Sequence, residues 1–141
     1  MNRLGASRLI PSTVAMVLSL MASSCRKIGQ VSNLHDRIVA ARTSQYCRPP
    51  DACYNPNVLV VETGYDVTTF VGSKPQYANV PPMEIAKYLE SLPMQVWPRG
   101  PLIEITPTDD VTDERALYRN FNAAQQIFRS MGLEVLVRPG G

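Results

Sequence analysis

The strongest constraint on the fold is a strand–helix–strand pattern near the end of the chain. Two short apolar runs, LIEIT at residues 102–106 and LEVLV at residues 133–137, have the composition of buried strands. Between them, apolar residues recur every three or four positions, as on one face of a helix: Leu117, Phe121, Ala124, Phe128 and Met131. Gly132 is a favoured residue just past a helix end. A helix that crosses between two strands requires a layered arrangement of helix and sheet.

The residues before this unit predict two more strands and another helix. NVLVVE at residues 57–62 is a β-branched run, and YDVTTFV at residues 65–71 alternates as a strand does, so the two predict a hairpin. We expect residues 72–81 to form a loop and a helix to begin at Pro82 and stop at Pro93. The predicted fold class is therefore α+β, a small two-layer sandwich in the order ββαβαβ with one sheet covered by two helices.

The N-terminal segment has the pattern of a cleaved signal peptide. Arg3 and Arg8 give it a positive start, and the apolar run VAMVLSLM follows at residues 14–21. A helix of that length cannot cross about 30 Å of hydrocarbon, so we expect residues 1–24 to be removed during export. The protein would then work in the cell envelope, on the periplasmic side of a bacterial membrane, or be secreted.

The small residues Ala22, Ser23 and Ser24 precede Cys25, and this stretch resembles a bacterial lipobox. The resemblance implies that Cys25 is diacylated through its sulfur, becomes the mature N-terminus and holds the protein to a membrane by lipid. Ala22 stands where the lipobox pattern prefers Leu. A secreted protein without lipid and an uncleaved anchor are the alternatives.

The remaining cysteines predict a disulfide. Cys47 and Cys53 flank RPPDA and form an even pair once Cys25 is set apart, and an exported chain meets oxidising conditions. Zinc is the alternative, but the usual ligand set is lacking because His35 is the only histidine in the chain. We therefore expect no metal and no cofactor.

Residues 25–56 are predicted to be a tether that carries a short helix and the disulfide loop. The helix would have one apolar face, formed by residues at three- and four-residue spacing: Val31, Leu34, Ile38 and Ala41. This segment either docks on the domain or stays mobile. We place the start of the folded domain, residues 57–141, after the turn-rich run that ends at Pro56.

The charge balance argues against a nucleic-acid partner. Without Arg3 and Arg8, 12 of the 14 basic residues remain and match the 12 acidic residues, so the mature chain is nearly neutral. Proteins that bind nucleic acid need a basic surface to displace the counterions of the phosphates.

Two stretches, LIEITPTDDVTDERA at residues 102–116 and AAQQIFRSMGLEVLV at residues 123–137, resemble the periplasmic domain of the ExbD/TolR family of biopolymer-transport proteins. The resemblance covers residues 57–138 and implies that family's fold, with peptidoglycan binding as a further possibility. Members of the family also carry a transmembrane helix with an Asp that couples to proton flow, whereas residues 9–25 contain no acidic residue. The resemblance therefore carries over the fold and not proton-driven motor activity.

Four carboxylates cluster before the longest helix: Asp109, Asp110, Asp113 and Glu114. Carboxylates could hold a hard cation such as Ca²⁺, which makes a small metal-dependent accessory enzyme the alternative function. The competing interpretation is helix capping, with Thr112 as the N-cap and the acidic side chains at the positive end of the helix dipole. His35 stands alone and lacks the partners of a catalytic triad.

The favoured function is non-enzymatic binding of an envelope protein or of peptidoglycan, and we predict no catalytic residues. Trp97 and Arg99 could form an exposed anchor, although Trp97 could instead fold back over the sheet edge. Tyr46, Tyr54, Tyr65 and Tyr77 add aromatic side chains around the first hairpin. An unpaired edge strand would accept a partner or a second copy in a homodimer. We expect that edge to be the strand with Thr68 and Phe70, or the final strand at residues 133–137.

Overall fold

The computed structural model describes residues 32–48 and 53–140. Three α-helices and five strands make up this part of the chain, in the order α1 (Leu34–Ala40), β1 (Asn57–Val61), β2 (Gly64–Val71), β3 (Lys74–Val80), α2 (Ile85–Ser91), β4 (Leu102–Pro107), α3 (Glu114–Ser130) and β5 (Glu134–Val137). Short 3-10 turns occur at Thr43–Tyr46, Pro82–Glu84 and Met94–Val96. Within these residues, no helix is long and apolar enough to cross a membrane.

The strands form one open mixed sheet in the order β3-β2-β1-β4-β5. The first three strands pair antiparallel as a meander, whereas β4 runs parallel to both β1 and β5. Helix α3 connects the parallel pair β4 and β5, as the strand–helix–strand pattern predicts. The α+β class expected from the sequence is confirmed.

The predicted order of elements omits strand β3. Residues 72–81 were expected to form a loop, yet Lys74–Val80 pairs along its length with β2, from Val71 opposite Lys74 to Tyr65 opposite Val80. Most of its residues are exposed, so its sequence lacks the alternation that a half-buried strand shows. Backbone pairing and the turn at Gly72, with a φ of 64°, hold it in place. The strand places β2 inside the sheet rather than at its edge.

One face of the sheet carries the core. Alternate strand residues point to the helices and are almost fully buried: Val58, Val60, Tyr65, Val67, Ile103 and Ile105. The residues between them lie on the opposite face, where Leu59 is 36% exposed. Helix α3 packs its apolar stripe on the core with Leu117, Ala124 and Phe128. The other face of the sheet is open to solvent.

Helix α1 is part of this core and not of a tether outside it. Leu34 and Ile38 are 0% and 1% exposed, and the compact unit that contains them begins at Ser32. The helix approaches the end of α3 so closely that a Cβ added at Gly132 would lie 2.7 Å from the Cβ of His35. Of the two alternatives left open by the sequence, docking is therefore the correct one. The predicted domain start at residue 57 is too late, because a third helix contributes to the core.

Candidate functional site

A cleft of about 320 Å³ lies where β2 turns into β3. The disulfide segment forms one wall, the β2–β3 turn another, and the chain between α2 and β4 a third. Aromatic side chains of Tyr46, Tyr54 and Phe70 line it, together with neutral polar groups on Ser73 and Gln95. Among the described residues, this is the place where the structure gathers aromatic side chains into one concave surface.

Two of the aromatic rings in the cleft pack against each other. The ring centroids of Tyr54 and Phe70 are 4.9 Å apart, with an angle of 39° between the ring planes. Tyr46 and Tyr54 are about half exposed, so part of each side chain is accessible to a ligand. Such side chains offer an apolar surface with a polar end, which suits a ligand that has both.

The disulfide predicted from the sequence is confirmed and borders the cleft. Cys47 and Cys53 are bonded, with their Cα atoms 5.7 Å apart. Tyr46 and Tyr54 are the residues next to the two cysteines on the outer side of the bridge. Closing this short loop restricts the unfolded chain and contributes about 2 kcal/mol in the entropic model. The bond therefore holds the backbone next to Tyr46 close to the backbone next to Tyr54.

Asn55 positions the third wall of the cleft. Its side chain is buried, and its Nδ2 donates to the carbonyl oxygens of Gly100 at 2.8 Å and Leu102 at 2.7 Å. Its Oδ1 accepts from the backbone N–H of Arg99 at 2.8 Å. These three bonds tie the segment before β4 to the residues before β1. Sequence reasoning missed Asn55, because an Asn beside Pro56 in a turn-rich run is typical of an exposed turn.

The prediction that Trp97 and Arg99 form an exposed anchor is wrong for Trp97. The indole is 0% exposed and belongs to the core, together with the neighbouring Val96. The alternative, in which Trp97 folds back onto the sheet, is closer to the structure, because burying a large apolar ring is favourable. Its Nε1–H has no hydrogen-bond partner among the described residues. Arg99 is exposed, but it contributes only its backbone N–H to the bonds that shape the cleft.

Thr68 and Phe70, which were predicted to lie on an edge strand, belong to a strand inside the sheet. Thr68 stands opposite Asn57 of β1 and opposite Tyr77 of β3, so its strand is paired on both sides. Phe70 is opposite Pro75 and reaches the cleft from the open face of the sheet. The prediction of a binding edge at Thr68 and Phe70 is therefore wrong, because the undetected strand β3 occupies that edge.

One carboxylate of the acidic cluster, that of Asp113, makes a capping contact. Asp113, rather than the expected Thr112, is the N-cap of α3, and its Oδ1 accepts from the backbone N–H of Ala116 at 3.2 Å. Glu62, in the β1–β2 turn, accepts from the backbone N–H groups of Thr112 and Asp113 and from the Thr112 hydroxyl. In residues 32–48 and 53–140, no group of three or more His, Cys, Asp or Glu side chains is arranged to hold a metal ion.

Replacing Glu62 with Gln is expected to lower stability at neutral pH and to flatten its acid dependence. The backbone bond from Asp113, followed by those from Thr112, lowers the pKa of Glu62 from 4.5. When the pKa is lower in the folded state than in the unfolded state, the group stabilises the protein at pH values above its unfolded-state pKa. This contribution is lost as the pH falls through the folded-state pKa. Urea unfolding between pH 3 and pH 7 measures the effect, with the exposed Glu84→Gln as control. Parallel pH profiles for the natural chain and Glu62→Gln would contradict the assignment.

The N-terminal predictions, namely the signal peptide and Cys25, lie outside the described residues. His35 is exposed, and its Nδ1 lies 3.1 Å from Asp36 Oδ1 on the same helix. The site that the structure does define is the aromatic cleft beside the disulfide. Comparisons with protein-family models, with characterised proteins and with solved structures returned no match to this chain.

Proposed function

We propose that this chain is a non-enzymatic, exported envelope protein that binds a cell-wall polymer through the aromatic cleft of an ExbD/TolR-like domain. The observation that carries the proposal is the packed pair of Tyr54 and Phe70, with Tyr46 on the same concave surface. The disulfide beside the two tyrosines restricts the backbone that presents them, which lowers the entropic cost of binding a ligand.

The lining of the cleft favours a glycan strand over a charged ligand. Sugar rings have C–H faces that pack on aromatic rings and hydroxyl groups that need neutral hydrogen-bond partners. The tyrosine hydroxyls, Ser73 and Gln95 supply such partners. Apart from the tyrosine hydroxyls, the described side chains that line the cleft carry no ionisable group. Peptidoglycan, with its repeating sugar backbone, is therefore the ligand we propose, and a partner protein is the competing outcome of the test.

Export is supported by two independent features of the chain. The disulfide between Cys47 and Cys53 is typical of proteins that fold in oxidising compartments. The N-terminal pattern of Arg3, Arg8 and a short apolar run is typical of a signal peptide. We propose that Cys25 carries the lipid that holds the protein at the membrane, where it meets the cell wall. Intact mass of the protein isolated from bacteria tests this, and an unmodified Cys25 would overturn the lipid anchor.

The cleft is tested by sedimentation of the oxidised protein with purified, protein-free peptidoglycan. Tyr54→Ala removes the central ring of the cleft and should weaken binding at least tenfold, as truncation of an aromatic anchor typically does. Tyr118→Ala is the matched control, because Tyr118 is 58% exposed against 54% for Tyr54 and lies on α3, outside the cleft. We expect this control to bind like the natural chain.

Two results would overturn the peptidoglycan assignment. If the natural chain does not sediment with peptidoglycan, or if both Tyr variants bind equally well, the cleft does not bind the polymer. If Tyr54→Ala instead loses a protein that the natural chain retains from envelope extracts, the cleft binds a partner protein. Circular dichroism of Tyr54→Ala confirms that the variant is folded before binding is compared.

A further inference from the structure

Three exposed basic residues border the aromatic cleft, and we call them the basic rim. Each is the chain neighbour of a residue that lines the cleft: Arg48 follows Cys47, Lys74 follows Ser73 and Arg99 follows Pro98. No described acidic residue is next in the chain to a residue that lines the cleft. The neutral lining is therefore bordered by positive charge.

The basic rim is distributed over all three walls of the cleft. Arg48 belongs to the disulfide segment, Lys74 begins β3 just after the β2–β3 turn, and Arg99 lies between α2 and β4. None of the three forms an ion pair with another described residue. The whole chain has a formal net charge of only +2, so three such residues around one cleft are a local excess of positive charge.

We propose that the basic rim binds the carboxylates of the peptide stem of peptidoglycan, while the cleft holds the sugar to which that stem is attached. This inference rests on the proposed function and names the part of the polymer that the site selects. The uncharged sugar packs on Tyr54 and Phe70, where a bare charge would be costly to desolvate. The acidic stem leaves the cleft and meets the basic rim in solvent.

Several carboxylates spaced along a peptide match the basic rim better than a single carboxylate attached to the sugar. The three cations belong to three different walls, so a single carboxylate lies beside only part of the rim. An arginine guanidinium grips a carboxylate with two parallel hydrogen bonds, and a lysine ammonium attracts it as a compact charge. A stem with more than one carboxylate satisfies more of these groups at once.

The two parts of the site differ in their response to salt. Attraction between exposed charges is screened by dissolved ions, whereas the packing of a sugar on aromatic rings is not an interaction between charges. Affinity for a sugar with its acidic stem should therefore fall as salt rises. Affinity for a neutral sugar should stay nearly constant.

Titration of the oxidised protein with three soluble sugars, followed by nuclear magnetic resonance, tests the proposal. The sugars are a neutral N-acetylglucosamine oligosaccharide, the peptidoglycan disaccharide without its stem, and the same disaccharide with its stem. At an ionic strength of about 0.01 M, the stem should improve binding about tenfold over the neutral sugar, as three surface charge pairs allow. At about 1 M, where the screening length is about 3 Å instead of about 30 Å, most of this advantage should disappear.

Equal affinity for the three sugars at low salt would overturn the role of the basic rim and leave the sugar cleft standing. Equal affinity for the disaccharide with and without its stem would overturn the assignment to the stem, because the carboxylate on the sugar would then suffice.

Removal of the three charges tests the residues themselves. The triple variant Arg48→Gln/Lys74→Gln/Arg99→Gln keeps the backbone N–H of residue 99, which bonds Asn55 and shapes the cleft. It should bind the disaccharide with its stem about tenfold more weakly than the natural chain at low salt. Its affinity for the neutral sugar should be unchanged. Undiminished binding of the stem-bearing disaccharide would refute the proposal.

A second triple variant controls for net charge. Lys87→Gln/Arg115→Gln/Arg119→Gln removes the same number of positive charges from exposed residues that do not line or border the cleft. It should bind all three sugars like the natural chain, and a loss equal to that of the rim variant would overturn the proposal. Failure of the cleft itself gives a different result. The natural chain would then bind none of the three sugars, or Tyr54→Ala would bind the neutral sugar as well as the natural chain does.

Discussion

Replacing Leu34 and Ile38 together with Ala is expected to unfold the domain at urea concentrations at which the natural chain remains native. Both side chains are buried in the core, at 0% and 1% exposure. Each truncation of a buried Leu or Ile to Ala costs about 2–5 kcal/mol. Their combined cost is comparable with the whole free energy of unfolding of a small domain, which is about 5–15 kcal/mol. A segment outside the predicted domain therefore decides whether that domain folds.

Urea denaturation followed by far-ultraviolet circular dichroism measures this effect. Val39→Ala, on the solvent side of the same helix at 56% exposure, is the control and should change stability by less than about 0.5 kcal/mol. A double variant with the midpoint of the natural chain would show that α1 contributes nothing to the core. The predicted tether would then be correct after all.

Trp97→Ala is expected to destabilise the protein by about 3–5 kcal/mol, because the ring is fully buried and its removal leaves a cavity. Trp97→Phe should cost much less than Ala. The indole Nε1–H has no hydrogen-bond partner within the described residues, and an unsatisfied buried donor costs about 1–3 kcal/mol. Phe removes that donor while keeping most of the apolar ring, so the two effects partly cancel.

The same unfolding measurement separates this account from a surface role for Trp97. Arg99→Ala is the control, because its exposed side chain should contribute little to stability, while the backbone N–H that bonds Asn55 is kept. If Trp97→Ala and Arg99→Ala are both as stable as the natural chain, the burial of Trp97 is contradicted. If Trp97→Phe is as unstable as Trp97→Ala, the unpaired Nε1–H is not a source of instability.

Local patterns predict the elements whose own residues are half buried. The stripe on α3 and the strands on either side of it are found where the sequence places them, because burial of one face imposes its period on the sequence. Strand β3 escapes prediction because its side chains are mostly exposed, so its sequence lacks the alternation of a half-buried strand. The apolar face of α1 is visible in the sequence, but which surface it covers is a property of the whole fold.

The sequence predicts single components of the cleft but not how they come together. The cysteine pair indicates the disulfide, and Tyr46 and Tyr54 stand out as aromatic residues beside it. Phe70 joins them from β2 because the sheet brings the end of that strand next to the disulfide segment. Asn55 gives no signal of burial, since its three hydrogen bonds reach residues 44 to 47 positions away. Long-range contacts of this kind leave no periodic trace in the sequence.

We propose that the aromatic cleft binds the glycan of the cell wall. Nuclear magnetic resonance titration of the oxidised protein with soluble peptidoglycan fragments tests it most directly, because shift changes report the residues that meet the ligand. We expect the largest changes at Tyr46, Tyr54, Phe70 and Gln95, and none of comparable size on the outer face of α3 around Tyr118. Changes that cluster on α3 or along β5, or no changes at millimolar fragment, would contradict the claim.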